Sequence, residues 1–213
     1  MGGPHDPIAP IIERYGAVVL DGGIATELER RGLDLNDPLW SAKILIEQPD
    51  AIERVHYDYL AAGADLVLSA SYQATFEGFA RRNLTRSAAA DLMRLSVRLV
   101  RDARDRFLAQ PQARVARPQP LVGASVGCYG AYLADGSEYR GDYGLSVRRL
   151  VEFHRPRLDV LVDAQPDLLA FETIPCAHEA EAVVRALEEH PAIPAMISFS
   201  CCDDAHVCHG EPL

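Results

Sequence analysis

The chain has 213 residues, 48% apolar and 24% charged, with 31 acidic against 21 basic side chains and a formal net charge of −10. That length suits one large domain or two small ones. A balance this negative argues against nucleic acid or an anionic membrane surface as a partner. No run approaches the ~18 consecutive apolar residues of a membrane span. The start, MGGPHDPIAP, has neither the basic residues nor the apolar stretch of a secretory signal, and Asp6 stands where myristoylation after Gly2 wants Ser or Thr. Five cysteines, an odd number crowded toward the C-terminus, make no disulfide framework, so a reducing cytoplasm is expected.

In chain order, residues 17–20 are the first apolar run and predict a strand. Asp50 is placed to cap a helix with Ile52, Val55, Tyr59 and Leu60 on one face, and Gly63 to stop it. Residues 66–69 predict a second strand. Thr85 or Ser87 opens the next helix, with Leu92, Leu95 and Leu99 inward and Arg94, Arg98, Arg101 and Arg104 as a solvated face. Residues 110–120 hold three prolines and no periodicity, so they predict a surface loop. Residues 121–126 predict the third strand. A helix over 146–162 follows, which Pro156 should kink or split. A strand over 168–171, a helix over 177–189 with Ala180, Val183, Val184 and Leu187 inward, and a strand over 195–199 complete the pattern.

Short apolar runs alternating with helices predict parallel strands covered on both faces. Two architectures fit: an open doubly wound sheet or a closed (β/α) barrel. Neither G-x-G-x-x-G after the first strand nor G-x-x-x-x-G-K-[ST] is present. The glycines of 123–130 fit neither phosphate loop and are expected to permit close backbone approach.

Polar residues gather just past the strands' C-terminal ends, the rim where α/β folds place active sites. They are Asp21-Gly22-Gly23, then 69–73, 127–130, Glu172-Thr173 and 200–203. A carboxylate ending a buried strand must be paired or hydrogen-bonded to stay charged. Asp21 and Glu172 therefore either face a central pocket and bind a cationic group such as an amine, or accept N–H bonds from their own loops, Asp21 from Gly23 or Ile24.

Four segments, VVLDGGIATELERRG, LSASYQATFEGF, GASVGCYGAYLADGSEYRGDY and LLAFETIPCAHEAEA, in this order resemble the homocysteine S-methyltransferase family from Val18 to about Gly210. The branch using S-methylmethionine or S-adenosylmethionine is the nearer one. The resemblance implies an α/β (β/α)₈ TIM-barrel fold transferring a methyl group from a sulfonium donor to the homocysteine thiol, giving methionine. It implies Asp21 and Glu172 at the homocysteine amino group, Gly22 and Gly23 letting the backbone approach the substrate, and Ser71, Tyr72 and Thr173 lining the pocket. It also implies zinc, since a bound Zn²⁺ deprotonates a coordinating thiol and the thiolate is the nucleophile.

The family's three zinc cysteines, in an N-C pair and a G-G-C-C motif, have no counterpart in this sequence and would lie beyond Leu213. Five strands of eight predict a single barrel domain over residues 1–213, truncated after strand five, against about 250 residues for a whole barrel. Such a chain is expected to be marginal or to self-associate through open strand edges, or to be part of a longer protein. It is expected to be inactive by itself and to hold no zinc. Two rival readings are a catalytically dead interaction module and an open α/β domain binding a small metabolite. The tail Cys201, Cys202, His206 and Cys208 lacks the usual loop spacing of a zinc site but has the right atoms for one.

Overall fold

A computed structural model describes residues 6–114 and 118–213. The N-terminal signal and lipidation readings therefore fall largely on residues outside the described ones, as does the middle of the proline-rich loop. The rest of that loop contains one 3₁₀ turn, Pro111–Arg114.

Four strands form one parallel sheet, and their order follows the chain: β1 (Leu66–Leu68), β2 (Leu121–Gly127), β3 (Leu168–Ile174) and β4 (Ala195–Phe199). Each step is a strand, a crossover helix and a neighbouring parallel strand. This sequential order, with no reversal at a switch point, is that of an incomplete (β/α) barrel and excludes the doubly wound sheet.

The helices are α1 (Ala9–Tyr15), α2 (Ile24–Arg30), α3 (Ser41–Glu47), α4 (Pro49–Ala62), α5 (Phe76–Ala80), α6 (Arg86–Leu108), α7 (Tyr129–Leu133), α8 (Val147–Asp163) and α9 (Ala177–Leu187). Ile52, Val55 and Leu60 of α4, Met93, Val97 and Val100 of α6 and Leu158 and Leu161 of α8 join Val122, Leu169 and Phe171 in one core. Burial of that continuous apolar face is the main term holding the helices on the sheet.

Several sequence expectations change in detail. The first strand reduces to a single parallel bridge, Leu20 to Leu66, although the Val19 carbonyl also accepts from the Asp65 and Leu66 amides. It lies at the sheet's edge, leaving Val19 and Leu20 exposed. At the other edge, β4 is exposed at four of five positions, because a strand with a neighbour on one side cannot be covered like an inner one. The cap of α4 is Gln48, not Asp50, because Pro49 presets the helical φ at the first position; Gly63 ends the helix in the left-handed region.

Thr85 does cap α6, accepting from the Ala88 amide. Its arginine row is more than a solvated face. Arg94 pairs with Asp163, Arg101 donates to the Ala164 and Gln165 carbonyls, and Arg104 pairs with Asp167, so the row ties α6 to the loop between α8 and β3. Helix α8 runs unbroken through Pro156. One lost backbone bond is outweighed by the apolar face the helix buries through Leu150, Leu158 and Leu161. On α9, Val184 points out and Glu179 points in.

Candidate functional site

A cavity of about 340 Å³ opens at the C-terminal ends of the strands. Asp21, Gly22, Gly23, Tyr72, Glu172 and Thr173 of the sequence-derived set all line it. Ser71 does not. Its hydroxyl is spent on the Ser125 carbonyl at 2.7 Å and on Ser69 at 2.6 Å, which fixes the β1 end against β2; Ser41, Ser69 and Ser125 are the serines that line the cavity.

Asp21 is held by the neighbouring strand. The Leu68 amide donates to its Oδ2 at 2.8 Å, while its own amide donates to the Leu66 carbonyl at 3.0 Å. The anticipated bond from Gly23 or Ile24 is replaced by this cross-strand one. Burial pushes the Asp21 carboxyl up to about 7, helped by the charge of Glu172 and opposed by the Leu68 amide. A Cβ on Gly22 would lie 2.8 Å from the Tyr59 hydroxyl and push aside that side chain, which donates to the Gly23 carbonyl.

Glu172 accepts from the Ser125 hydroxyl, and burial raises its carboxyl as well. Its aim comes from an irregularity in β3. The β3–β4 register shifts between Phe171 and Ile174, and Thr173 sits at φ +61. A β-branched residue there costs of order 1–3 kcal/mol, and such bulges re-aim side chains beside functional sites. The Thr173 side chain bonds the Tyr72 hydroxyl.

Further lining residues escaped the sequence reading, Ser125, Trp40, Glu138 and Tyr139 among them. Trp40, with φ +46 and ψ −122 immediately before α3, sets its ring edge-on to Tyr72 at 6.3 Å. Glu138 and Tyr139 come from the second half of the 133–143 run. The lone tryptophan of the chain ahead of an apolar helix, and an acid inside a family-specific run, were the available signals.

The glycines of 127–130 do permit close approach. A Cβ on Gly127 would lie 2.5 Å from the Tyr72 carbonyl, and one on Gly130 would overlap the Glu138 backbone nitrogen. Behind this loop is a buried polar chain. Arg157 donates to the Gly127 carbonyl and, at 2.7 Å, to His154 Nδ1; His154 Nε2 bonds Glu179 at 2.8 Å, and Glu179 also accepts from the Tyr129 amide. Burial holds His154 down at about 4, so it is neutral, with its proton on Nε2 toward Glu179.

Residues 18–213 match the sequence profile of homocysteine S-methyltransferase. The chain belongs to this family. It is 55% identical over 207 residues to homocysteine S-methyltransferase YbgG of Bacillus subtilis (strain 168), covering 97% of this chain and 66% of that protein. The homocysteine S-methyltransferase of Escherichia coli (strain K12) is 49% identical over 210 residues, covering 98% and 66%. Among solved structures, the oxidized form of the homocysteine methyltransferase MmuM from Escherichia coli superposes with a TM-score of 0.92 at 48% identity, over 98% of this chain and 70% of that one. Its metallated form gives 0.90 at 48% identity, over 97% and 71%. The chain thus spans just under two thirds of the length of the curated family members it matches.

The family metal finds no fitting donor set here. Facing groups in the cavity are carboxylates and hydroxyls, with no cysteine or histidine among them. Cys128 is buried, and burial pushes its thiol up to about 12, far from a ready thiolate. In the tail, His206 Nδ1 is engaged by Asp203 and His209 Nδ1 by Glu211, while the Cys202 thiol points at the Val207 carbonyl. Among the described residues no group of three or more His, Cys, Asp or Glu side chains is arranged to hold a metal ion. The residues present do not fit a thiolate-held zinc.

Proposed function

We propose that this chain carries the homocysteine-binding part of a sulfonium-dependent homocysteine S-methyltransferase. The observation that carries the reading is the pair Asp21 and Glu172. They come from opposite parts of the sheet, meet at one cavity, and find no Lys, Arg or His among its lining residues. Two half-buried carboxylates without a protein cation are complementary to an ammonium group, which would let both ionise. Ser125 orients Glu172 and the Leu68 amide orients Asp21, so the amine is gripped from two fixed directions. The thiol end then extends toward Tyr72 and Thr173.

The reaction supported is an in-line displacement. The homocysteine sulfur, having lost its proton, attacks the methyl carbon of S-methylmethionine or S-adenosylmethionine; the old C–S bond breaks, and its electron pair stays with the departing neutral thioether. The residues of this chain orient the nucleophile, and none of them is placed to ionise the thiol. That shortfall favours a second reading, in which the chain by itself binds homocysteine without turning it over.

Calorimetric titration with homocysteine tests the binding claim. Binding is expected, weakened at least tenfold by Asp21→Asn or Glu172→Gln. No binding, or binding indifferent to both substitutions, overturns it. Methionine formation from homocysteine and S-methylmethionine, with zinc measured by elemental analysis, separates the two readings. Stoichiometric zinc with turnover favours the enzyme, and binding with neither favours the second reading.

A further inference from the structure

The cavity holds a third carboxylate that the amine does not use. Glu138 lines it from within the short 3₁₀ turn Ser137–Tyr139. Its backbone is tightly placed. The Ser200 hydroxyl donates to its carbonyl at 3.0 Å, its amide packs on Gly130, and the Asp135 carboxylate accepts from the Ser137 amide at 2.9 Å just before it.

No basic side chain pairs with Glu138 among the described residues. The neighbouring Arg140 is turned to Asp135 and Asp142. Burial raises this carboxyl too. Glu138 enters the cavity wall from this turn, whereas Asp21 and Glu172 stand at strand ends, where the Leu68 amide and the Ser125 hydroxyl hold them. The rings of Trp40, Tyr72 and Tyr139 stand in the same wall. Aromatic faces and edges of this kind suit a soft, weakly hydrated cation that cannot donate hydrogen bonds.

We propose that Glu138 is a specificity-determining residue for the methyl donor, holding the sulfonium centre apart from the amine site at Asp21 and Glu172. This rests on the homocysteine-binding reading above and deepens it. A sulfonium carries a full positive charge but no N–H, so a carboxylate backed by aromatic rings recognises it by charge alone. After the methyl group leaves, the product is a neutral thioether and that attraction vanishes. Glu138 thus favours the charged donor over the spent one.

The test compares two amino acids that share one amine end: S-methylmethionine, charged at sulfur, and methionine, its neutral thioether. Calorimetry on the whole chain is expected to show S-methylmethionine bound about tenfold more tightly, the size of one half-buried charge interaction. Glu138→Gln is expected to abolish the preference, and Glu138→Asp to restore part of it, which also shows that the fold survives. Asp21→Asn, at the homocysteine amine site, is expected to leave the ratio of the two affinities unchanged. A preference that survives Glu138→Gln, or is absent from the unmodified chain, overturns the role of Glu138 and leaves the amine site standing. Failure of both amino acids to bind the unmodified chain also overturns the role of Glu138, while the homocysteine titration decides the amine site.

Discussion

Replacing Asp21 by Asn should make the chain more stable, and increasingly so as the pH rises. Asp21 has its ordinary value of 3.8 in the unfolded chain and about 7 in the folded one. Below pH 3.8 both states hold the proton and the residue is silent. Between 3.8 and 7 the unfolded chain releases its proton while the folded chain keeps it, so stability falls by about 1.4 kcal/mol per pH unit. Above 7 the folded chain ionises too, and the full cost of about 4 kcal/mol is reached, as an upper limit. An asparagine carries no such cost, and its Oδ1 can still accept the Leu68 amide, so the cross-strand bond survives. The assay is urea unfolding of both proteins, followed by circular dichroism at several pH values between 4.5 and 8. The stability gap should be small at pH 4.5 and grow to a few kcal/mol by pH 8. Homocysteine should narrow it, because an ammonium group between Asp21 and Glu172 supplies the missing charge. A gap that stays constant across that range would refute the argument that Asp21 is a destabilised, ligand-ready carboxylate.

The other predictions concern the frame around the cavity. Gly127→Ala should destabilise by about 1–3 kcal/mol in urea unfolding, since its Cβ meets the Tyr72 carbonyl, and should weaken homocysteine binding by shifting Tyr72. Glu179→Ala should cost about 3–5 kcal/mol, because it strands His154 Nε2 and the Tyr129 amide and removes the anion whose charge offsets buried Arg157; Glu179→Gln should cost less. Ile197 and Phe199 lie exposed on the edge strand β4, so sedimentation should show concentration-dependent association, reduced by Ile197→Lys. A sharp monomer at all concentrations would count against that edge as a contact surface.

The alternation of strands and helices was readable because parallel strands covered by helices are nearly all apolar, and β1 to β4 appear within a few residues of the expected runs. Edges were not readable. Residues 17–20 look like any inner strand, yet only Leu20 bridges, because pairing is decided by what lies alongside and not by the run itself. The short helices α2, α3, α5 and α7 carry too few turns for a periodic signal. Glu179 is the clearest case of tertiary context overruling pattern. A glutamate in a helical stretch reads as solvent-facing, but His154 and the Tyr129 amide draw it inward, and the neighbouring Val184 is left outside.

The same contrast governs the cavity. Asp21 and Glu172 could be picked out because a carboxylate at the end of an apolar strand conflicts with its surroundings, and such conflicts gather at functional sites. Glu138 shows no such conflict in the sequence, since it lies in a polar turn among Asp135, Ser137 and Arg140. Only the packing of that turn on Gly130 and Ser200 brings its carboxylate to the cavity wall. The net charge of −10 is a bulk property that bears on partners in general. Locally it is concentrated to effect: three acids and no base line one cavity, so the site selects for positive charge in whatever enters it. A substrate amine and a sulfonium donor together carry two such charges, at two separate centres. Three acids and no base at one cavity are a stronger argument for cationic ligands than either carboxylate alone.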